Sequence, residues 1–389
     1  MIAAIPLAWK NLTNDVRKLL VAVSGVCFAV MLMFQQRGFN NALFDSTVEL
    51  VRQMDADLIV HSQARFALSS EMRFDRLLMD MVATRPGVAS AHPVYIEHSL
   101  AQLRRSGLKS RPIRVVGVDL RQQVLLDHDG AIERALLDLD RPGTAIMDRL
   151  SKENYGFDLT PDRSAVEVGE LCGKEISIVG LCTISRDFAH NGNLVMSTEN
   201  FAHYFPFRAP DPLGIVDVGL IRSAPGTDLN QLRQDLSLFL PDSVRVVLRS
   251  DFIKDEIAFW YRSTPIGTIF LVGSIMGFVV GVIICYQVLA NNIGDHIREL
   301  ATLKAMGYTN RYFVRLVFSQ SLFLAVLGFV PGLVLSLFLY QFYSAATGLL
   351  MVLTWPRVAF IFVLTLGMCC VSGLFALRKL LAADPASLF

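Results

Sequence analysis

The sequence predicts a membrane α-helical protein with four transmembrane helices and a large α+β domain inserted between the first and second spans. Two observations lead there. Mean hydropathy is +0.45 and only 18% of the 389 residues are charged, too apolar for a water-soluble domain and too charged for a chain wholly in lipid. The charges are also unevenly spread. Uncharged runs occupy Leu19 to Gln36, Pro265 to Ala290, Leu316 to Pro356 and Val358 to Leu377, each at or above the ~18 residues that mark a bilayer span.

The first run follows Lys10, Arg17 and Lys18 as a signal peptide would, but no small-x-small cleavage site comes after it. It is therefore expected to stay as a membrane helix. The third run has 41 residues, and a single helix of that length would measure about 60 Å against a hydrocarbon core of about 30 Å. Its helix is expected to end near Tyr343, leaving Ser344 to Pro356, with Gly348, as a short apolar cap.

Charge sets the orientation. Outside the hydrophilic block Arg37 to Arg262 there are ten Lys or Arg, and all but Arg357 fall on the side of the termini and of the loop between the second and third spans. The positive-inside rule places that side in the cytoplasm and the long block outside. Both termini are then cytoplasmic.

Taken in order, residues 1–18 read as a cytoplasmic amphipathic helix, with Leu7, Ala8, Leu12 and Val16 near helical spacing in Pro6 to Lys18, lying on the membrane lipids. Residues 19–55 form the first span and an outer stalk from Gly38 to Met54. Residues 56–250 are the exported domain, with strand candidates at Asp57 to His61, Val94 to Leu103, Ile113 to Val118, Thr144 to Met147, Val166 to Leu171, Glu175 to Ile184, Asn193 to Ser197, Ile215 to Ile221 and Ser243 to Leu248. Helices are expected at Glu71 to Thr84 and Asp228 to Leu240, each followed by a proline. The pattern suggests a subdomain of residues 56–119 plus 214–250, interrupted by an inserted subdomain, 120–213. Residues 251–290 form a second stalk, Asp251 to Arg262, running straight into the second span; 291–311 are a cytoplasmic segment; 312–389 hold the last two spans and a tail.

Within the second span Gly273, Gly277 and Gly281 share one helix face. That face permits close backbone approach, either between two copies in a homodimer or within one subunit. Gly328, Pro331 and Gly332 in the third span mark an expected kink. The spans carry no charge, which disfavours an ion-coupled carrier. There is no GxxxxGK[ST], GxSxG or HExxH motif; hence no catalytic residue, metal or cofactor is assigned, and no nucleic-acid partner. Asp127, His128 and Asp129 read as a solvated loop rather than an acid–base site. Cys172, at a hairpin turn, and Cys182, at a strand end, are expected as unpaired thiols.

The stretch Asp295 to Arg311, DHIRELATLKAMGYTNR, stands apart. Asp295 lies near its start, Ile297, Leu300 and Ala301 share a face, Arg298, Glu299 and Lys304 lie elsewhere, and Gly307 is placed to stop it. It reads as a short amphipathic helix at the cytoplasmic surface. Thr309 or Asn310 is placed to cap the next helix.

These residues carry a resemblance. IRELATLKAMGYTNRYF resembles the coupling segment of FtsX/MacB-type (type VII) ABC transporter permeases. LAWKNLTNDVRKLL is similar to the amphipathic helix before that family's first span, VEVGELCGKEISIVGLCTI to a strand pair of its external domain, and RKLLAADPASLF to its tail. Within the family the chain most resembles the cyanobacterial DevC-type permeases, through LLVAVSGVCFAVMLMFQQRGFNNALFDSTV and ELATLKAMGY. The resemblance implies a permease that transmits the motion of an ABC ATPase to its periplasmic domain (mechanotransmission), with Ile297, Arg298, Glu299, Leu300, Leu303, Lys304, Met306 and Gly307 meeting the ATPase. It implies a homodimer of permeases, a periplasmic membrane-fusion adaptor, a TolC-like outer-membrane channel and export of a lipid, glycolipid or other amphiphile. MacB-type permeases fuse the ATPase to the same chain; here about 18 residues precede the first span, so ATP is expected to be bound and hydrolysed by a separate partner. Two alternatives remain within the resemblance: an FtsX-like signal transducer controlling a periplasmic cell-wall hydrolase, and a lipoprotein-releasing permease.

Overall fold

The computed structural model describes residues 9–382 apart from 11, 12, 123, 127–129, 159, 161–165, 185–189, 209 and 348–350. Asp127, His128 and Asp129, the first eight residues, Gly348 and the end of the tail lie outside the described residues. The helices are α1 (Val16–Thr47), α2 (Glu49–Gln53), α3 (Leu77–Ala83), α4 (Ala131–Leu139), α5 (Thr198–Tyr204), α6 (Leu229–Phe239), α7 (Arg249–Ser263), α8 (Ile266–Asp295), α9 (Ile297–Ala305), α10 (Asn310–Thr347) and α11 (Trp355–Ala382). The strands are β1 (Leu58–Ser62), β2 (Phe74–Asp75), β3 (Val88–Glu97), β4 (Gln102–Arg104), β5 (Arg111–Pro112), β6 (Arg114–Val118), β7 (Thr144–Asp148), β8 (Glu167–Leu171), β9 (Lys174–Cys182), β10 (Asn193–Ser197), β11 (Ile215–Val216), β12 (Val218–Ser223) and β13 (Val244–Leu248). Two compact units result: Met1–Ala42 with Pro265–Phe389, and Leu43–Thr264.

The first unit holds four helices long and apolar enough to cross a membrane, contributed by α1, α8, α10 and α11. Their boundaries follow local chemistry. The Asp15 carboxylate accepts the backbone N–H groups of Arg17 (3.0 Å) and Lys18 (3.2 Å), which caps α1 and breaks the helix expected to run through to Lys18. α10 continues four residues beyond Tyr343. Pro356 belongs to the first turn of α11 rather than to a cap, where its missing N–H has no helical partner to lose. Pro331 lies inside a continuous α10.

The stalks differ from expectation in one respect. α7 ends at Ser263 because Thr264 is extended (φ −119°, ψ 146°), the conformation that a following proline imposes. α8 then starts afresh at Ile266. The second stalk is thus not continuous with its span, and the Thr264–Pro265 step is the reason.

In the second unit eleven strands form one sheet in the order β13-β1-β12-β3-β6-β10-β7-β9-β8-β4-β5. Leu58, Val60 and Val115 enter one core, with α3, α5 and α6; the adjacent Ile59 and Val116 enter the other, with α2, α4 and α7. Apolar layers on both faces explain why β1, β6, β7 and β10 are buried at every position, with apolar runs broken only at the strand ends. Residues 120–213 do not form a separate sheet. β10 pairs with β6 in parallel, Leu194 opposite Val115, and β4 pairs with β8, so strands of 120–213 are hydrogen-bonded into the sheet formed by 56–119. The helix expected from Glu71 begins only at Leu77, since Phe74–Asp75 pairs with β11.

A buried ionic knot ties the long Gln63-to-Arg73 connection to this sheet. Asp217, 2% exposed at its side chain, receives Arg65 Nη2 (3.3 Å), Arg73 Nε (3.1 Å), Arg208 Nη2 and the Ile96 N–H (2.8 Å). Arg73 also reaches Glu97 (3.0 Å). Burial, and then the neighbouring Glu71 carboxylate, raises the Glu97 carboxyl above its usual range. Removing one partner of such a group strands the others without compensation. Asp217→Ala is expected to destabilise this unit by about 3–5 kcal/mol, read as a lowered unfolding midpoint of the purified chain; an unchanged midpoint would show that the knot contributes nothing net.

Candidate coupling segment and its helical support

α8 and α9 meet at a single residue. The His296 N–H donates to Asn292 O (3.3 Å), closing α8, and its own carbonyl accepts the Leu300 N–H (3.0 Å), opening α9. At the other end Gly307 has φ +92°; its N–H donates to Lys304 O (3.1 Å), while the Tyr308 N–H reaches back to Leu303 O (3.2 Å). This pair of bonds is the Schellman stop, which favours glycine because the left-handed conformation penalises a Cβ. Tyr312 N–H to Thr309 O (2.8 Å) starts α10 at once, and the Tyr308 and Tyr312 rings lie 4.8 Å apart.

The structure divides the eight residues assigned to ATPase contact. Arg298, Glu299, Met306 and Gly307 are exposed; Ile297, Leu303 and Lys304 are half-buried. Leu300 is 5% exposed and sits in the membrane-unit core with Ile293, Phe313 and Leu316. Leu300 is therefore corrected from a contact residue to the residue that docks α9 on its own bundle. Ala301 is buried as well. The apolar face serves that docking, and the outward surface is Arg298, Glu299, Thr302, Met306 and Tyr308. Thr302 and Tyr308 were not singled out from the sequence.

The same end of the unit has two further ties. Lys18 Nζ lies 2.6 Å from Asp295 Oδ2, linking the start of α1 to the end of α8. Trp9 meets Phe323 of α10 edge-on at 5.2 Å.

The glycines explain how the helices come close. A Cβ on Gly273 would lie 2.6 Å from Gln36, and one on Gly281 would lie 1.9 Å from Met368 Sδ and 2.9 Å from the Ala29 Cβ. Gly277 has ordinary clearance, with Met33 Cγ at 3.4 Å. In this chain the glycine face is thus filled by α1 and α11 of the same subunit. Val272, Ile275, Met276, Val279 and Ile283 are the exposed side of α8. On the other flank of α1, Cβ atoms on Gly328 and Gly332 would come within 2.5 Å of Val26 and 2.8 Å of Val30. These two are sites of close approach to α1. Hydrogen bonds from Tyr340 Oη to Phe34 O (2.6 Å) and from Ser372 Oγ to Val282 O (2.8 Å) join the helices inside the apolar layer.

Outside this segment the described chemistry is sparse. Among the described residues no three His, Cys, Asp or Glu converge as a metal site. Cys172 and Cys182 are not joined by a disulfide. Cys172 takes φ 53° beside Gly173 at φ +81°, the geometry of a two-residue hairpin turn between β8 and β9.

Residues 271–385 match the family model described as FtsX-like permease C-terminal. The matched stretch takes in most of α8, all of α9 and α10, and α11. No curated protein sequence matches the chain. Among solved structures, the periplasmic region of MacB from Actinobacillus actinomycetemcomitans aligns with a TM-score of 0.37 at 11% identity, covering 54% of this chain and 95% of that one. The extracellular domain of the noncanonic ABC-type transporter YknZ from Gram-positive bacteria aligns with a TM-score of 0.34 at 8% identity, covering 49% and 98%.

Gly281→Leu is expected to force α8 away from Ala29 and Met368 and to cost about 1–3 kcal/mol, as overpacking does. Gly277→Ala should be near neutral. Thermal unfolding of the two variants in detergent checks this: equal midpoints would mean that the helices do not meet at Gly281.

Proposed function

We propose that the chain is the non-catalytic permease subunit of a tripartite ABC exporter, converting the motion of a separate ATPase into movement of its extracytoplasmic domain. One observation carries the proposal: α9 is a capped helix sealed on the bundle by Leu300, and the segment from Arg298 to Tyr308 presents Arg298, Glu299, Thr302, Met306 and Tyr308 outward within the stretch that is similar to FtsX-like permeases. A segment so built passes a push on its outer face to α8 and α10 without unfolding between them. The distribution of Lys and Arg puts that face in the cytoplasm, where an ATPase operates.

In this proposal two permeases and two ATPases form the engine, and ATP is bound only by the ATPases. Closure of the ATPases on ATP presses the coupling segments, and α1 and α8 carry the displacement out to the α+β domain. A periplasmic adaptor and a TolC-like channel complete the path. The cargo is a lipid, glycolipid or other amphiphile, as the likeness of the coupling segment to DevC-type permeases suggests. A domain of more than 200 residues, Leu43–Thr264, offers the surface that an adaptor needs, which favours export over control of a cell-wall hydrolase.

Affinity chromatography of the tagged chain from its own membranes tests the proposal. Met306→Asp and Tyr308→Asp should each reduce co-purified ATPase at least ~10-fold, a loss typical of an interface hot spot, with the unfolding midpoint unchanged. Leu300→Asp should instead lower the midpoint. Undiminished ATPase recovery with both surface variants would reject the contact, and recovery of a hydrolase without an adaptor would favour the transducer alternative.

A further inference from the structure

The connection from β1 to β2 presents an aromatic side chain that the α+β unit leaves uncovered. Phe66 is 60% exposed, yet the loop that carries it is held from both sides. Arg65, beside it, is buried, and its guanidinium donates from Nη1 to Leu68 O (2.7 Å) and from Nε to Met72 O (3.1 Å), besides its bond to Asp217. The Leu68 N–H donates to Glu256 Oε2 (2.7 Å), and Glu256 Oε1 accepts Trp260 Nε1–H (2.8 Å). Glu256 thereby fastens the loop to α7. A loop tip in water ordinarily carries small or polar residues; here a rigid frame holds a phenyl ring outward.

The ring's neighbour indicates what covers it. Phe66 packs against Phe259 of α7, with centroids 5.1 Å apart. Phe259 opens the run Phe259-Trp260-Tyr261-Arg262, and α8 begins at Ile266. Chain length alone bounds the separation, whatever the angle at Thr264. Four helical steps to Ser263 rise about 6 Å, and three further residues add at most ~10 Å. The Phe259 Cα is therefore within about 16 Å of the start of a membrane-spanning helix. Consecutive aromatic residues followed by an arginine at that place are the composition of a bilayer interface, where rings rest at the headgroup level and a cation faces phosphate.

From this pinned, exposed ring and its proximity in the chain to a span, we infer that the Gln63-to-Met72 loop contacts the bilayer, with Phe66 and Phe259 entering the headgroup–acyl boundary of the leaflet on the domain's side. Met72, 43% exposed on the same loop, extends the contact. The occupant is phospholipid rather than a protein partner, because the patch is continuous in the chain with a lipid-facing helix. It requires only that α8 span the bilayer and is independent of the ATPase proposal.

The test uses the full chain alone, without an ATPase, in phosphatidylcholine nanodiscs. Cys27, Cys172 and Cys370 are replaced by alanine, and a bimane label is placed at Phe66→Cys, at Met72→Cys, or at Leu238→Cys, which is 88% exposed on α6. Lipid carrying a 5-doxyl group should quench positions 66 and 72 at least ~2-fold more than position 238, as expected for rings at the boundary layer, while aqueous iodide should do the reverse. Iodide quenching at 66 and 72 equal to that at 238, with no effect of the doxyl lipid, would overturn the inference. So would shielding of both positions from both quenchers, which would mean that a second copy of the chain covers the loop. Met72→Cys keeps the test decisive if the label at position 66 lowers the unfolding midpoint.

Discussion

The membrane unit depends on how closely α1 lies between α8 and α10. Lipid offers no hydrophobic drive for helices to associate, so close packing and a few interhelical hydrogen bonds must hold them. Gly273 and Gly281 on one flank of α1, and Gly328 and Gly332 on the other, leave no room for a side chain. Tyr340 and Ser372 add hydrogen bonds to backbone carbonyls within the apolar layer. The apolar runs that pack in this way carry no charged side chain.

That packing also supports the segment between the second and third spans. A nine-residue helix is too short to persist alone in water. α9 persists because Leu300 docks it, His296 joins it to α8 without a linker and Gly307 turns the chain directly into α10. The segment is thus stiff at both ends. At the other end of the second span the helix is interrupted at Thr264–Pro265, whereas α1 is continuous to Thr47.

Much of this was legible in the sequence because the signals are local. Charge-free runs marked the spans, Gly307 marked the stop of α9, and Asp228, which accepts the N–H groups of Asn230 and Gln231, marked the start of α6. The Thr264–Pro265 break was equally local, but the apolar run that follows it masked the punctuation. What depended on partners distant in sequence was not legible. The apolar face of α9 suggested an external contact because nothing in a periodicity says whether a stripe meets another protein or its own bundle. The eleven-strand order, in which β6 pairs with β10 across an apparent insertion, and the Asp217 knot, which joins residues from four separate segments, have no local signature.

The claim most central to this account is that α9 is docked on the bundle and travels with it. Hydrogen–deuterium exchange of the chain in nanodiscs tests it directly. The amides of residues 300–305 should exchange at least ~100-fold more slowly than an unstructured peptide, since an undocked helix of this length would not be stable. Exchange at the unstructured rate would show that the segment is a loose loop, and the transmission of motion through it would have to be abandoned.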